Sequence, residues 1–259
     1  MSAFIHESAI VSSGAKIGAD CYIGAFSIIG DEVVLGERVH LDSHVVIDGK
    51  TSVGDETRIF PFVSIGLAPQ DLKYSGEPTA TEIGKRNHIR EFVTIHRGTE
   101  GGGGLTRIGD DNLLMAQAHV AHDCQIGNEV IMANAATLAG HVEIADRANI
   151  GAYSGVHQFC RIGLEAFVGG YSVVVKDAMP FATIQGNHAK CYGLNRVGMK
   201  RRGYAKETIE KLHRAYHLLL SAKLNTTQAV EKIKEEIKDC AEVNLLVEFI
   251  EASKRGVVK

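Results

Sequence analysis

The sequence predicts an all-β solenoid, of the parallel β-helix kind, followed by a small helical domain. Three observations predict this fold. An aliphatic residue recurs at every sixth position through most of residues 5–174, a small or β-branched residue recurs four positions after each of these, and helical spacing replaces the six-residue period after Pro180. Short fixed repeats are typical of chains that stack one structural unit on the next, so that neighbouring units share a continuous core.

The six-residue period has two phases. The first covers residues 5–65 and 83–95, and the second, shifted by one position, covers residues 108–174. The small residue of one hexad and the aliphatic residue of the next are two positions apart, so an extended strand sends both to the same side. We therefore expect both positions to face the core of the solenoid.

The hexads resemble those of hexapeptide-repeat proteins. The resemblance implies that three hexads form one triangular coil of about 18 residues. It also implies a left-handed winding, an exception to the usual handedness of parallel crossovers. Because aliphatic side chains would fill the interior of such a prism, any chemistry must lie on its outer surface.

The composition excludes several classes of protein. The chain has 259 residues, 45% of them hydrophobic, and a formal net charge of −3 at pH 7. This charge gives no reason to expect a nucleic-acid partner. The sequence predicts no transmembrane segment, and its N-terminus lacks the pattern of a secretion signal. Three of the five cysteines, Cys21, Cys124 and Cys160, occupy small core positions, which predicts reduced thiols and a cytoplasmic location.

Two interruptions of the period predict loops that leave the prism. In the first, Asp71 and Glu77 occupy core positions. Carboxylates cannot join an aliphatic ladder without partners, so we expect residues 66–82 to loop outward. In the second, the four glycines 101–104 lack the Lys-Ser or Lys-Thr of a phosphate-binding P-loop. We therefore expect residues 98–107 to form a flexible excursion.

The change to helical spacing divides the chain into two domains. We expect a β-helix over residues 1–188 and a helical domain over residues 189–259 that caps the open end of the prism. Asn225 followed by Gln228 predicts the N-cap of the middle helix. The apolar faces that predict three helices are Leu212, Ala215, Tyr216, Leu219 and Leu220; Val230, Ile233 and Ile237; and Leu245, Leu246, Phe249 and Ile250.

Histidines gather on one face of the predicted prism. They lie beside three core residues that are 18 positions apart and whose hexads therefore stack directly, in coils separated by about 4.8 Å. All of them occupy positions that point away from the core: His119, His122, His141 and His157. The pKa of a free imidazole suits proton transfer near neutral pH, so the cluster predicts either a general base or a metal site. The histidine spacing differs from that of the zinc-binding γ-class carbonic anhydrases, so we favour the general base and expect no metal.

Six segments, together with the helical tail, resemble the UDP-N-acetylglucosamine O-acyltransferase family over nearly the whole chain. They are Gln70-Asp71-Leu72-Lys73-Tyr74, Thr94-Ile95-His96-Arg97-Gly98, His119-Val120-Ala121-His122-Asp123-Cys124, Val156-His157-Gln158-Phe159, Gln185-Gly186-Asn187-His188-Ala189 and Lys200-Arg201-Arg202-Gly203. The resemblance implies an acyltransferase of lipid A biosynthesis that moves an (R)-3-hydroxyacyl group from acyl carrier protein to the 3-hydroxyl of UDP-N-acetylglucosamine. It implies no cofactor.

The resemblance also implies roles for individual residues. His122 matches the general base of the family, and the adjacent Asp123 is a candidate for orienting its imidazole. No covalent intermediate is needed, because a thioester is already activated and a positioned base with an oriented acceptor supplies the rest. Arginines in the matched set suit phosphates through bidentate bonds, although a plain surface role is the alternative for Arg202. The matched binding residues are Gln70, Asp71 and Lys73 for the sugar and acyl chain; His119, His141, His157 and Gln158 for the acceptor cleft; and Asn195, Arg201 and Arg202 for the nucleotide.

Acyl-chain length in the family is set at the position that matches Gly170, and His188 matches a position near the far end of the acyl groove. A glycine leaves the groove open, so we expect a longer hydroxyacyl chain. Two residues depart from the family pattern. Tyr171 is larger than the small residue expected there, and Val197 replaces an acidic residue near the uridine. The sequence leaves open the acyl length and the effect of these two residues on binding.

The resemblance implies a homotrimer with active sites between subunits, in which the loop 66–82 reaches a neighbour's histidines, and an acyl carrier protein that docks near Lys200 and Arg201. Two alternatives remain at this stage: acylation of a 3-amino UDP-sugar by the same site, and a zinc-dependent hydratase of the γ-carbonic anhydrase type. A non-catalytic solenoid would instead show regular outward rows of threonine.

Overall fold

A three-sided prism of short parallel strands dominates the fold, in a computed structural model that describes residues 2–259. Most strands contain two residues, because each hexad turns a corner of the prism before a longer strand can form. The strands are β1 (Phe4–Ile5), β2 (Ile10–Val11), β3 (Lys16–Ile17), β4 (Tyr22–Ile23), β5 (Ile28–Ile29), β6 (Val34–Leu35), β7 (His40–Leu41), β8 (Val46–Ile47), β9 (Lys50–Val53), β10 (Arg58–Ile59), β11 (Ser64–Leu67), β12 (Ala80–Ile83), β13 (His88–Ile89), β14 (Thr94–His96), β15 (Leu105–Ile108), β16 (Leu113–Leu114), β17 (His119–Val120), β18 (Gln125–Ile126), β19 (Ile131–Met132), β20 (Thr137–Leu138), β21 (Glu143–Ile144), β22 (Asn149–Ile150), β23 (Gly155–Val156), β24 (Arg161–Ile162), β25 (Phe167–Val168), β26 (Val173–Val174), β27 (Ala182–Gln185) and β28 (Lys190–Leu194).

Consecutive strands up to β27 lie on different faces of the prism, and each strand from β1 to β23 pairs with the strand three places further along the chain. The first sheet has eleven strands and begins with β1, the second has nine and begins with β2, and the third has eight and begins with β3. Parallel pairs such as Ile28 with Val46 join residues 18 positions apart, as the period predicted. The turns between the second and third sheets at residues 121–124, 139–142 and 157–160 stack on one another, and we call this edge the histidine corner.

The predicted aliphatic ladders fill the prism. Ile29, Ile95, Val120 and Leu138 are fully buried, as are small residues such as Ala136. The first coil differs, because no strand among residues 2–259 packs beneath it: Ile5 is 44% exposed, and Val11 and Ile17 are only partly buried.

Both interruptions of the period form excursions, and both are shorter than the sequence indicated. Ala80 pairs with Lys50 across a coil of 30 residues, 12 more than an ordinary coil, and the extra chain is the first excursion, residues 68–79. Leu105 pairs with Ala80 across 25 residues, 7 more than an ordinary coil. These extra residues form the second excursion, residues 98–104, which includes a 3₁₀ helix at Glu100–Gly102.

The C-terminal region begins with an element that the sequence did not predict. Strand β28 runs antiparallel to β27 at the end of the first sheet, and the short helix α1 (Arg196–Arg201) follows it. The three predicted helices are α2 (Lys206–Leu220), α3 (Thr226–Glu236) and α4 (Ala241–Glu251). Asn225 and Gln228 form the expected capping box at the start of α3.

The helices pack against the last coils of the prism and share one hydrophobic core with them. The predicted face of α4 needs one correction, because Leu245 is partly exposed while Val243 and Val247 are buried. Among residues 2–259, no helix has the length and apolarity needed to cross a membrane.

Candidate active site

His122 and Asp123 form a hydrogen-bonded pair at the histidine corner, in the turn between β17 and β18. Nδ1 of His122 lies 2.8 Å from Oδ2 of Asp123. The Asp123 side chain is fully buried, whereas the His122 ring remains 15% exposed. Because a carboxylate can only accept, the pair places a proton on Nδ1 and leaves Nε2 as the basic nitrogen. His122 stands on the outer surface of the prism, as the register predicted, so both nitrogens of its ring lie outside the interior.

Three donor and acceptor contacts fix Asp123 in place. Its two carboxylate oxygens accept hydrogen bonds from the backbone N–H of Thr99 at 2.9 Å and from the Thr99 hydroxyl at 2.6 Å. Its own backbone N–H donates to Oγ1 of Thr106 at 2.8 Å. Asp123 also adopts a left-handed backbone conformation, with φ of 60°. Sequence reasoning missed Thr99, because a contact from an excursion leaves no trace in the period of the repeats.

His141 stands one coil above the pair. Its ring stacks on Phe159 with centroids 4.4 Å apart and meets His122 edge-on at 5.1 Å. Its Nε2 lies 3.9 Å from Oδ2 of Asp123. Burial lowers the pKa of His141; the Asp123 carboxylate opposes this shift and the His122 ring adds to it. His141 is therefore placed to act as a neutral hydrogen-bonding group near His122.

His119 lies on the second sheet beside the pair and is strongly biased to its neutral form. Burial lowers its pKa to about 4, and the neighbouring rings of His96 and His122 act in the same direction. Its Nδ1 is 2.6 Å from the hydroxyl of Thr94. His96, which sequence reasoning did not single out, meets His119 edge-on and has a pKa that is also lowered by burial.

His157 and Gln158 occupy the next coil and are exposed. Nδ1 of His157 lies 3.3 Å from the guanidinium of Arg255, a residue of the C-terminal segment that no sequence motif singled out. A groove of about 820 Å³ runs along the histidine corner from Asp123 and His141 to Arg255. Its volume lies in the range of pockets that bind small molecules.

The first excursion lies over the histidine corner of its own chain. Asp71 and Lys73 line a cavity of about 530 Å³ together with His141 and Phe159. The structure describes a single chain, in which the excursion thus lies beside its own histidine corner. Gln70 is exposed beside it. The sequence located the excursion through Asp71 and Glu77, which occupy core positions of the repeat. The direction of the loop depends on contacts that the six-residue period does not encode.

His122, Asp123 and His141 also form a group whose potential ligand atoms lie within 4.8 Å of one another. Two ligands of one tetrahedral zinc ion, each at about 2.0–2.1 Å, stand roughly 3.3 Å apart. The 2.8 Å between His122 and Asp123 is instead a hydrogen-bond distance. The geometry therefore favours an oriented base over a zinc ligand set.

Comparison with known proteins identifies related chains. A family model described as UDP N-acetylglucosamine O-acyltransferase, domain 2, matches residues 177–258, and a model for bacterial transferase hexapeptide repeats matches residues 14–49 and 105–140. LpxA from Acinetobacter baumannii is 44% identical, with 99% of this chain and 100% of that chain covered and a TM-score of 0.97. A UDP-N-acetylglucosamine acyltransferase from Bacteroides fragilis is 38% identical, with the same coverage and TM-score. An Arabidopsis UDP-N-acetylglucosamine acyltransferase is 32% identical over 99% of this chain and 100% of that chain, with a TM-score of 0.87.

The chain belongs to the UDP-N-acetylglucosamine O-acyltransferase family. It is an acyltransferase, and its fold is the left-handed parallel β-helix with a helical C-terminal part that the sequence predicted.

The remaining residues matched to this acyltransferase family do not join the histidine corner within one chain. Gly170 lies at the opposite edge of the second sheet, in the turn that also contains the exposed Tyr171. A Cβ atom at Gly170 would lie 3.2 Å from a backbone oxygen of Ala152, a tight contact that a side chain at this position would have to relieve. His188 is exposed in the turn between β27 and β28.

Two residues matched to the nucleotide have partners within their own chain. Asn195 caps α1 through Gly198 and donates to the backbone oxygen of Glu165. Arg202 pairs with Glu129 at 3.1 Å. By contrast, Arg201 and Val197 are exposed on α1. The Arg201 side chain is therefore exposed to solvent, whereas the Arg202 guanidinium is engaged by Glu129.

Proposed function

We propose that this chain transfers an (R)-3-hydroxyacyl group from acyl carrier protein to the 3-hydroxyl of UDP-N-acetylglucosamine, the first step of lipid A biosynthesis, with His122 as the general base. The observation that carries the proposal is the 2.8 Å bond from His122 Nδ1 to the buried Asp123. That bond leaves Nε2 to take a proton, in a family whose members act on this sugar nucleotide.

The chemistry requires one proton to move twice. His122 Nε2 removes the proton of the 3-hydroxyl as the sugar oxygen attacks the thioester carbonyl, and the C–S bond then breaks and the sulfur leaves as a thiol with that proton. Asp123 holds the ring and stabilises the imidazolium that forms between these events. An acceptor fixed beside a thioester loses little further entropy on reaching the transition state, so no covalent acyl-enzyme is required.

Neutral imidazoles beside the base fit an uncharged sugar. The pKa of His119, about 4, keeps this ring uncharged at neutral pH, so it can donate or accept a hydrogen bond without repelling a protonated His122. Asp71 and Lys73 line the neighbouring cavity, where hydroxyl and amide groups of the sugar offer them both donors and acceptors. We assign His119, His141, Asp71 and Lys73 to acceptor binding on this basis.

We also propose a homotrimer. A ridge of exposed rings follows the edge between the first and second sheets: Phe26, His44, Phe62 and Phe92 have successive centroids 5.1, 4.9 and 5.1 Å apart. Leu72, at the tip of the first excursion, is fully exposed. Apolar surface of this extent is normally covered, and two further chains in a closed ring would cover it on every copy.

Two further proposals concern the surroundings of the enzyme. All five cysteines are free thiols, which fits a reducing compartment such as the cytoplasm. The acyl carrier protein is acidic, and Lys200 and Arg201 present exposed positive charge on α1, so we propose that the carrier docks there.

The test replaces the base and measures acyl transfer from hydroxyacyl carriers of graded chain length to UDP-N-acetylglucosamine. His122→Ala should lower kcat about a thousand-fold, because general-base catalysis contributes about 10²–10⁴. His88→Ala removes an exposed imidazole from the first sheet and serves as the matched control with parental kcat.

A His122→Ala enzyme that folds and keeps parental turnover would remove this residue from the mechanism. Two further arms separate the alternatives. A UDP-sugar with a 3-amino group, supplied in the same assay, distinguishes amide from ester formation. Stoichiometric zinc together with loss of activity on chelation would support a metal site instead.

A further inference from the structure

We infer that the second excursion, residues 98–104, is a positioning element for the His122–Asp123 pair, with Thr99 and Gly102 as its positioning residues. This inference rests on the proposed function, because the pair it positions is the proposed base. From the sequence, we expected only a flexible excursion for this glycine-rich segment. In the structure it covers the Asp123 carboxylate.

Thr99 holds both oxygens of the Asp123 carboxylate. Its backbone N–H donates to Oδ1 at 2.9 Å and its hydroxyl donates to Oδ2 at 2.6 Å, so the two contacts fix the plane of the group. The Asp123 side chain has no exposed surface, and Thr99 is itself buried. A buried carboxylate is costly unless hydrogen bonds replace its water, and these two donors come from a single residue of the excursion.

The fixed carboxylate determines which nitrogen of His122 is basic. Oδ2 receives both the Thr99 hydroxyl and the His122 Nδ1–H, so rotation of the carboxylate would break two hydrogen bonds together. While this arrangement holds, Nδ1 keeps its proton and Nε2 stays free to accept one. Thr99 thus acts on the reaction through Asp123 and not through contact with the reacting atoms.

Gly102 allows the excursion to approach this closely. A Cβ atom at Gly102 would lie 2.0 Å from Cγ of Asp123, a distance that no side chain can tolerate without displacing the carboxylate. A Cβ atom at Gly101 would meet nothing within 4 Å. Close contact with the Asp123 carboxylate therefore requires a glycine at position 102. Position 101 has space for a side chain.

The first experiment compares Thr99→Val, which keeps the shape of the side chain and removes the hydroxyl, with Thr99→Ser, which keeps the donor. We expect Thr99→Val to lower kcat about ten-fold, with little change in KM for either substrate, because the hydrogen bond to a charged group is lost away from the binding surface. Thr99→Ser should recover most of the lost turnover. Parental kcat in Thr99→Val, or an equal loss in Thr99→Ser, would overturn the inference.

A spectroscopic measurement reads the same effect without turnover. With ¹⁵N-labelled histidine, the His122 ring of the parent should show a single tautomer protonated at Nδ1, and Thr99→Val should show a mixture of tautomers. An unchanged single tautomer in Thr99→Val would count against the positioning role.

A second pair of variants keeps the inference testable if Thr99→Val does not fold. Gly102→Ala should lower kcat at least ten-fold, whereas Gly101→Ala should behave as the parent, and equal behaviour of the two would overturn the inference. The His122→Ala enzyme separates this result from the proposed function. Full activity of His122→Ala overturns the base, whereas an inactive His122→Ala beside a fully active Gly102→Ala overturns only the positioning role.

Discussion

At the scale of single residues, the electrostatics of the site depend on a histidine that burial keeps neutral. Burial lowers the pKa of His119 to about 4, against about 6.5 for an exposed imidazole. The unfolded chain therefore binds a proton at this residue between pH 6.5 and pH 4 that the folded chain does not bind. By linkage, the stability that His119 contributes is fully present above pH 6.5 and is lost as the pH falls toward 4.

We predict that replacing His119 by Asn reduces the acid sensitivity of the fold. The amide keeps a polar partner for Thr94 and has no titration in this range, so the free energy of unfolding should fall less between pH 7 and pH 5 than in the parent. The expected difference is about 1 kcal/mol, after allowance for the part of the ring that water still reaches. Denaturant unfolding at both pH values measures it. Equal losses of stability in parent and variant would show that His119 does not contribute.

The sequence located individual site residues only where the repeat encodes them. The register placed His119, His122 and His141 on one outer face, because equivalent positions of successive coils must stack. It could not place Thr99 against Asp123, since that contact joins an inserted segment to a corner, across 24 positions of the chain. It also could not assign Arg202, whose pairing with Glu129 depends on how α1 packs on the prism.

At the scale of elements, the histidine corner leaves space for the His122 ring because the residue above it in the next coil has no side chain. Gly140 is the residue stacked above His122, one coil of 18 residues further along the chain. A Cβ atom at Gly140 would lie 2.5 Å from Cε1 of the His122 ring. The corner therefore combines a glycine above the base with a stacked pair, His141 on Phe159, beside it.

We predict that Gly140→Ala lowers kcat about a hundred-fold with the fold intact, because the added methyl pushes the imidazole out of line and a displacement of about 1 Å can cost that factor. Gly155→Ala is the matched control, since a Cβ atom there would meet nothing within 4 Å. Steady-state kinetics and the midpoint of thermal unfolding measure the two effects. A Gly140→Ala enzyme as active as Gly155→Ala would show that the ring has room to move.

The order of the elements followed from the sequence to different degrees in the two parts of the chain. The strands, their core positions and the two interruptions followed from a period of six, because each coil buries apolar side chains at the same positions. The helices α2, α3 and α4 followed from apolar faces at helical spacing. Helix α1 has six residues, too few to show an apolar face at helical spacing. The antiparallel pairing of β28 lies after the last hexad, where the six-residue period carries no information.

At the scale of the whole molecule, the residues matched to the family divide into two groups within one chain. His122, Asp123, His141, Asp71 and Lys73 gather at the histidine corner. Gly170 lies at the other edge of the second sheet, and His188 and Arg201 lie beyond the last coil. In the proposed trimer, we expect the corner of one chain to face the neighbouring chain, so that a complete site combines His122 of one copy with Gly170 and Arg201 of the next.

This division predicts the outcome of mixing inactive chains. His122→Ala removes the proposed base, and Arg201→Glu should abolish nucleotide binding by placing a negative charge where we expect the phosphates to bind. In trimers assembled at random from equal amounts of these two variants, about a quarter of the sites would draw an intact base from one chain and an intact Arg201 from its neighbour, so about a quarter of parental activity should return. Co-refolding followed by the transfer assay measures it.

Mixing His122→Ala with Asp71→Ala provides the control, and here no activity should return. The first excursion lies over the histidines of its own chain, so every site in such a mixture lacks either its base or its aspartate. Recovery in this mixture would mean that the excursion serves a neighbouring chain in the assembled enzyme. Failure of recovery in the Arg201→Glu mixture, with trimers formed, would place the nucleotide and the base on the same chain.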